Sequence, residues 1–365
     1  MNTQQVCAPM FRPINQSEFA SALGTLEQIR GTMAMRERLL EQGKLRHELV
    51  LPGVMWKIIK LYNYVLNPSY DIVNTWRFHA YPFSGQYLGK MLSCHWAPIP
   101  ENLNEEYQKL TSRLPKEMVA QPPRMLGEIG WEIDGGLVNE DVLLYQKQIT
   151  GLYLSGAIDY LRSKGSIRIL EIGSGYGGLA YSLWRILKPS LYCLVDLPES
   201  LAYSSVYLTL TSGLGGAGGV VYGGDTAALS KPPDRGFVFM PNYLVDDLCK
   251  AGKFDLVINA GSFAEMNEEQ VSHYARVIND VLADDGIVYE GNAETFVPVI
   301  SILSKTFKYL SFHKGDRNLR LWARKEEVLS RMKTVEDYRP SVLKTPRAWL
   351  QWRLKRTLKK WRQAF

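Results

Sequence analysis

A glycine-rich turn near the middle of the chain is the segment best suited to binding a ligand. It reads Glu171-Ile-Gly173-Ser-Gly175-Tyr-Gly177-Gly178 and lies between a short apolar run and a helical segment. Glycines permit a tight turn and let backbone amides approach a bound group closely. The segment therefore predicts a site for a nucleotide-containing cofactor at the end of a strand.

The turn fits two patterns, the G-x-G-x-x-G of dinucleotide enzymes and the acidic-x-G-x-G-x-G of S-adenosylmethionine (SAM) enzymes. An acid at position 171 suits the cationic amino group of a methionine moiety, whereas a pyrophosphate would be repelled by it. We therefore favour SAM. An NAD(P)-dependent oxidoreductase is the alternative.

Three further positions complete the predicted cofactor site. Asp196 ends the next apolar run, ~20 residues after the turn, where an acid accepts ribose hydroxyls; an N-cap before Pro198 is the other explanation. Asn242 follows a third run and would lie near the adenine edge, with Asp225 as a rival because two apolar runs compete for that strand. The predicted cofactor residues are Glu171, Gly173, Ser174, Gly175, Tyr176, Asp196, Leu197, Asn242 and Asn259.

The sequence around these residues shows two patterns of apolar positions, one before and one after about residue 150. The first roughly 150 residues place apolar positions at helical spacing, and a long helix capped by Asn139 is expected to run to Lys164-Gly165. From Ile167, short apolar runs alternate with helical segments, which predicts a parallel sheet covered by helices. Residues 307–312 and 319–323 flank a turn-rich loop and predict a terminal antiparallel hairpin.

The predicted fold is α/β, a Rossmann-like class I methyltransferase sheet with a terminal hairpin after a mostly helical N-terminal domain. The expected parts are a cap or substrate domain (1–135), a SAM-binding domain (136–326) and a basic tail (327–365). A stretch from Gly213 to Gly224, with seven glycines in twelve residues, is interpreted as a flexible surface insertion rather than a second phosphate loop.

Residues 130–290 resemble the sugar O-methyltransferases of the class I SAM-dependent fold. The resemblance lies in 138–141 with Tyr145, the glycine turn, 195–199, and 254–259 followed by 262–266. It implies transfer of a methyl group from SAM to a hydroxyl of a sugar or glycosylated product. It also implies a site role near the cofactor mouth for Asn139, Asp141 and Tyr145, which a helix cap explains only locally.

Methyl transfer to oxygen is an in-line displacement that needs a base for a weakly acidic alcohol. Glu265, in the loop after the fourth strand, is the leading candidate for the base or for an anchor of the acceptor hydroxyl; starting a helix is its alternative role. His95 is the second candidate, since it lies in a loop-like segment among the ten aromatics between 56 and 96, some of which should line a sugar pocket. No acid spacing indicates a metal site, so none is assigned.

Composition narrows the class of protein. With 365 residues, 46% hydrophobic and 22% charged, the chain suits a soluble globular protein of two units. It shows no export signal, no run of roughly 20 apolar residues, and four cysteines without C-x-x-C pairing. These features predict a cytoplasmic protein. The fourth strand also lacks the Asn/Asp-Pro-Pro-aromatic box for exocyclic amines, so nucleic acid is not the expected partner.

The last segment is basic and amphipathic. From Lys344 onward there are eight basic residues and no acid, although the net charge of the whole chain is +6. Within 346–365, leucines and Trp361 recur on one helical stripe with basic residues elsewhere. The segment suits peripheral contact with an anionic membrane, or packing on the body or on a second subunit of a homodimer. A membrane-docked scaffold that binds SAM without turnover is thus a further alternative function.

Overall fold

The computed structural model describes residues 11–52, 63–80, 101–214, 218–224, 235–292, 297–313 and 316–334. His95, Asp225, most of the aromatic-rich segment and the tail at 346–365 lie outside the described residues. Within the described part, no helix combines the length and the hydrophobicity needed to cross a membrane.

A mixed eight-stranded sheet is the centre of the fold, and a separate two-stranded hairpin precedes it. The strands are β1 (Trp131–Ile133), β2 (Gly136–Val138), β3 (Arg168–Ile172), β4 (Leu191–Asp196), β5 (Gly219–Val221), β6 (Gly236–Pro241), β7 (Phe254–Asn259), β8 (Leu282–Glu290), β9 (Lys308–His313) and β10 (Asp316–Ala323). The order across the sheet is β5-β6-β4-β3-β7-β8-β10-β9. All neighbouring strands from β5 across the sheet to β8, which include β3 and β4, pair in parallel. Strand β10 is antiparallel to both of its neighbours, β8 and β9.

Apart from the additional edge strand β5, this strand order, with the antiparallel β10 inserted between β8 and β9, is that of the class I methyltransferase fold. The predicted α/β class and terminal hairpin are confirmed. The strand order reverses between β3 and β7, because the chain continues from β3 to β4 on one side and from β7 to β8 on the other. Open parallel sheets bind ligands at the carboxyl edge of such a reversal.

Helices cover both faces of the sheet and form most of the N-terminal part. They are α1 (Gln16–Glu41), α2 (His47–Val50), α3 (Tyr70–Asn74), α4 (Trp76–His79), α5 (Glu101–Thr111), α6 (Glu140–Leu154), α7 (Ala157–Ser163), α8 (Gly178–Leu187), α9 (Pro198–Thr211), α10 (Glu268–Val281), α11 (Val299–Leu303) and α12 (Glu326–Leu329). Short 3-10 helices span Lys116–Met118, Asn242–Ala251 and Phe263–Glu265.

Two predictions of local structure are wrong. The expected single helix from Asn139 is two helices, because Gly156 has φ +84°, a left-handed conformation that an α-helix cannot continue through. The expected flexible insertion contributes β5, which pairs with β6. Gly219 makes this pairing close, since a Cβ there would lie 2.7 Å from the ring of Phe239.

The N-terminal helices and the sheet share one hydrophobic core. Buried residues of α1, such as Leu26 and Ile29, belong to the same cluster as Leu201 of α9 and Ile169 of β3. The predicted domain boundary at 135/136 lies in the turn between β1 and β2. The N-terminal part is therefore packed on the sheet domain and helps to form its interior.

A buried ion pair joins the two parts. Arg36 of α1 donates from Nη1 and Nη2 to the two carboxylate oxygens of Glu199, at 2.9 and 2.6 Å. Both side chains are about 95% buried. Glu199 lies in the first turn of α9, where the helix dipole also favours an acid.

Replacing Arg36 by Met should destabilise the protein, because Glu199 would remain buried without its cation. We expect a loss of about 3–5 kcal/mol in the free energy of unfolding, measured by chemical denaturation. Arg124→Met is the matched control: Arg124 pairs with Glu132 at the exposed surface, so its loss should cost less than about 1 kcal/mol. Equal effects of the two substitutions would contradict the role of the buried pair.

Candidate active site

The glycine turn between β3 and α8 has the backbone geometry that only glycine adopts easily. Gly173, Gly175 and Gly177 have φ values of +81°, +56° and +93°. A Cβ on Gly173 would lie 2.1 Å from Oγ of Ser262, so the loop after β7 packs directly against the turn. The two loops form one surface at the carboxyl edge of the sheet.

Asp196 ends β4 beside this turn. Its Oδ2 accepts from the amide of Gly175 at 3.1 Å, and its Oδ1 accepts from the amide of Leu197 at 2.7 Å. Burial raises the pKa of Asp196 to about 6, although the backbone amides favour the ionised form. Each carboxylate oxygen keeps a lone pair, so the group can still accept from two ligand hydroxyls.

Glu171 is buried in β3, next to the turn. Its Oε2 accepts from the hydroxyl of Tyr192 on the neighbouring strand at 2.6 Å. Burial raises the pKa of Glu171 to about 8; the Tyr192 bond opposes this and the charge of Asp196 adds to it. Glu171 thus lacks a cationic partner among its described contacts, and a cation placed beside it would stabilise its ionised form.

Asn242 lies one strand further along the same edge. It follows Pro241, which is in register with Asp196 across β4 and β6. Its Nδ2 donates to the carbonyl of Val50 at 3.0 Å. Its Oδ1 is buried and has no hydrogen-bond partner in the described part of the chain.

Arg77, a buried arginine that the sequence reasoning missed, packs against the glycine turn. The guanidinium carbon of Arg77 lies 3.6 Å from the ring centroid of Tyr176, inside the glycine turn. Arg77 also donates from Nε to Glu128 at 2.9 Å and from Nη2 to Asp141 at 2.8 Å. Arg77 is fully buried, so this network fixes the position of Tyr176.

The three residues expected to meet the acceptor lie beside this network. Asn139 accepts from the amide of Val142 as an N-cap and donates to Glu128, both at 2.9 Å. Burial raises the pKa of Asp141 to about 7, against the effect of Arg77. Tyr145 is half-buried, with its ring centroid 6.1 Å from that of Tyr176. Asn139 and Asp141 therefore organise the turn, and Tyr145 is the one of the three with a partly exposed side chain.

Ser174 and Leu197 also lie at this edge. Ser174 is buried and its Oγ donates to Oγ of Ser204 in α9 at 3.4 Å. Leu197 is half-buried and supplies the amide that binds Asp196. The structure thus brings the predicted residues of β3, β4 and the glycine turn together at one place.

The loop after β7 is held by two asparagines. Asn259 accepts from the amide of Phe263 at 3.1 Å and donates to the carbonyl of Ile172 at 2.9 Å. Asn292, which the sequence reasoning did not identify, accepts from the amide of Ala264 at 3.1 Å and donates to Oδ1 of Asn259 at 2.8 Å. The side-chain amide of Asn259 is thus fully used in hydrogen bonds that hold this loop.

Glu265 ends the 3-10 helix that these asparagines hold. It is half-buried, and its amide donates to the carbonyl of Ser262 at 3.0 Å. Beneath the loop, Asn292 also donates to Glu290 at 2.7 Å, and Glu290 accepts from Nε of Arg320 at 2.6 Å. Glu265 therefore projects from a loop whose backbone is fixed by a buried polar network.

Potential metal ligands are dispersed in the described residues. No three His, Cys, Asp or Glu side chains there are grouped so as to hold a metal ion. Asp246 lies 3.2 Å from His273, and Asp247 accepts from the hydroxyl of Tyr222 at 2.9 Å. His273 is thus engaged on the outer side of α10.

Comparisons with known proteins give structural likeness only. No family profile matches the chain, and no curated protein matches it. Among solved structures, magnesium protoporphyrin IX methyltransferase from Synechocystis PCC 6803 with bound SAM shows a TM-score of 0.33 and 15% identity, over 51% of this chain and 84% of that one. The methyltransferase PaMTH1 of Podospora anserina, with S-adenosylhomocysteine (SAH), shows a TM-score of 0.33 and 15% identity, over 66% of this chain and 95% of that one.

The N-methyltransferase NodS of Bradyrhizobium japonicum WM9, also with SAH, shows a TM-score of 0.32 and 14% identity, over 61% of this chain and 97% of that one. These likenesses are weak. The fold assignment depends on the order and direction of the strands in this sheet.

Replacing Asn292 by Ala should loosen the loop after β7, because Ala264 would lose its acceptor. We expect faster hydrogen exchange in peptides covering 259–266, and a loss of stability of about 1–3 kcal/mol for each buried polar group left unpaired. Asn279→Ala is the control, since Asn279 accepts from Arg324 near the other end of β8. Unchanged exchange at 259–266 would show that Asn292 does not hold the loop.

Proposed function

We propose that this protein is a SAM-dependent O-methyltransferase that acts on a hydroxyl of a sugar or glycosylated acceptor. The observation that carries the proposal is the class I strand order together with two carboxylates, Glu171 and Asp196, flanking the glycine turn. This arrangement offers acceptors to a ligand that has a cation at one end and a ribose further along.

The chemistry of the donors and acceptors fits SAM part by part. Glu171 is buried with a raised pKa and suits the methionine ammonium. Asp196 suits the ribose hydroxyls, and the unpartnered Oδ1 of Asn242 suits the amino group of adenine. When bound, SAM supplies a methyl group on a sulfonium sulfur.

The chain's own residues must orient the acceptor hydroxyl and take its proton. Glu265 is the proposed base or hydroxyl anchor, because it lies in the loop that packs against Gly173. Asn259 and Asn292 hold that loop, which keeps the backbone next to Glu265 at a fixed place relative to the turn. Fixed placement matters since alignment is a large part of the barrier in an in-line transfer.

The acceptor class rests on the motif resemblance rather than on the site geometry. The motifs at 138–145, 195–199 and 262–266 resemble those of sugar O-methyltransferases. Tyr145 supplies a partly exposed aromatic ring next to the turn, which suits the apolar face of a sugar. A cytoplasmic location, with peripheral membrane contact through 346–365, belongs to the same proposal.

Asp196→Ala should abolish most SAH affinity, because the ribose would lose its acceptor. We expect the dissociation constant of SAH, measured by calorimetry, to rise at least about tenfold, with the native fold retained by circular dichroism. Asp246→Ala, at an exposed carboxylate, is the control. Unaltered SAH binding by folded Asp196→Ala would overturn the assignment, and binding of NAD in place of SAH would favour an oxidoreductase.

SAH affinity should also depend on pH through Glu171. The ligand ammonium favours the ionised carboxylate, whose pKa in the free protein is about 8. Below that pH, binding must expel a proton, so affinity should rise from pH 6.5 to 8 by up to about tenfold per unit. Glu171→Gln should flatten the profile. Tyr192→Phe should move its midpoint to higher pH, since the hydroxyl favours the ionised form.

A profile for Glu171→Gln identical to that of the wild type would exclude Glu171 as the partner of the ammonium. Calorimetry in two buffers of different ionisation enthalpy would report the released proton directly.

A strain lacking this protein should contain glycans or glycosylated metabolites lighter by one methyl group, detectable by mass spectrometry. Glu265→Gln should fail to restore the methyl group, at least about 100-fold less active than the wild type, while binding SAH normally. Glu268→Gln, an exposed acid at the start of α10, is the matched control. Full restoration by Glu265→Gln would exclude it as the base.

A further inference from the structure

A segment of the N-terminal part contacts Asn242, at the proposed adenine end of the cofactor site. This segment, residues 46–51, is called the strap here, and it contains α2. Its Val50 is buried, and the carbonyl of Val50 accepts from Nδ2 of Asn242. Asn242 in turn follows Pro241, the register partner of Asp196. The strap thus contacts the residue next to the proposed ribose acceptor.

The sheet domain holds the strap at its backbone carbonyls. Asn267 donates to the carbonyl of Glu48 at 3.1 Å, and Gln270 donates to those of Leu49 and Leu51 at 3.3 and 3.4 Å. With Asn242, three side-chain amides therefore bind four consecutive carbonyls. Arg46 adds a surface ion pair with Glu269.

The chain before the strap is fixed as well. Tyr243 donates its hydroxyl to the carbonyl of Thr32 at 2.8 Å, and Arg36 forms its buried pair with Glu199. Tyr243 is the neighbour of Asn242, and Glu199 lies three residues after Asp196. Helix α1, which precedes the strap in the chain, is thereby anchored beside both proposed cofactor contacts.

The Val50 carbonyl decides how the amide of Asn242 is oriented. A carbonyl only accepts, so it must face Nδ2, and a flipped amide would set two oxygens against each other. Oδ1 is therefore fixed as a buried acceptor without a partner among the described residues. An unmet buried acceptor is costly, so the position favours a ligand group that donates a hydrogen bond.

We propose that the strap is a lid over the adenine end of the cofactor site, and that Asn242 couples its closure to recognition of a 6-amino purine. The inference rests on the proposed function, because it takes SAM or SAH as the ligand. The adenine amino group donates to Oδ1 while Nδ2 keeps the strap in place. A 6-oxo purine meets Oδ1 with an acceptor, and relieving that clash by flipping the amide breaks the hydrogen bond to the carbonyl of Val50.

The first test compares SAH with its 6-oxo analogue, S-inosylhomocysteine, by calorimetry on the full-length wild-type chain. We expect SAH to bind at least tenfold more tightly, since a site built around one hydrogen bond rejects the analogue that cannot make it. Asn242→Ala should narrow the preference to within threefold. Equal affinities of the wild type for the two ligands would overturn the proposal.

The second test measures hydrogen exchange of the strap with and without SAH. The amides of Leu49, Val50 and Leu51 donate to carbonyls within the strap and report its closure. SAH should slow their exchange in the wild type. It should also slow it in Asn267→Ala, the matched control that loses another strap contact, but not in Asn242→Ala.

The outcomes separate this proposal from the proposed function. A wild type that binds neither purine ligand contradicts the proposed function. SAH binding that leaves exchange in 46–51 unchanged contradicts the lid alone, and so does equal protection of the strap in Asn242→Ala and in Asn267→Ala.

Discussion

The burial of Arg77 is the constraint on which the site depends. A guanidinium cannot give up its charge in a protein interior, so it stays buried only where carboxylates and hydrogen bonds compensate the lost hydration. Glu128 and Asp141 supply these, from segments 51 and 64 residues away. The bond from Arg77 to Asp141 fixes the start of α6. The guanidinium also packs on the ring of Tyr176, and this contact fixes the glycine turn that contains Tyr176. The glycine turn is thus shaped by a residue outside the sheet domain.

The same principle recurs around the carboxyl edge of the sheet. Arg36 joins α1 to the start of α9, and Arg320 joins β10 to Glu290 at the end of β8. Each buried arginine connects elements that the chain order keeps apart, and each lies behind a loop of the proposed site. Buried pairs of this kind add little net stability, but they tolerate few alternative arrangements. They are well suited to holding loops that must align reacting groups.

What the sequence could predict follows from the range of the interactions involved. The glycine turn and seven of the eight strands of the large sheet depend on local patterns, so their positions were predicted closely, whereas β1, β2 and β5 were not predicted. The break at Gly156 was missed, because a glycine within a helical pattern is often tolerated and only its positive φ ends the helix. Arg77 and Asn292 were missed since their partners are distant in sequence, and nothing in the neighbouring residues marks them as buried. The contacts of the strap were missed for the same reason, because they are made by backbone carbonyls that any residue provides.

The electrostatics of the edge give a further reason to expect a cationic ligand there. Burial raises the pKa values of Glu171, Asp196 and Asp141 together, to about 8, 6 and 7. Within the part of the chain that the structure describes, Arg77 opposes the shift at Asp141, the hydroxyl of Tyr192 opposes it at Glu171, and backbone amides with the hydroxyl of Ser200 oppose it at Asp196. The folded chain thus keeps two carboxyl groups in an environment that disfavours their ionisation, a cost that a core of apolar residues would avoid. A ligand with an ammonium group and ribose hydroxyls removes that cost, because it supplies the missing positive charge and donors at these two residues. The free energy that the fold gives up by burying these two carboxyl groups is therefore available for binding.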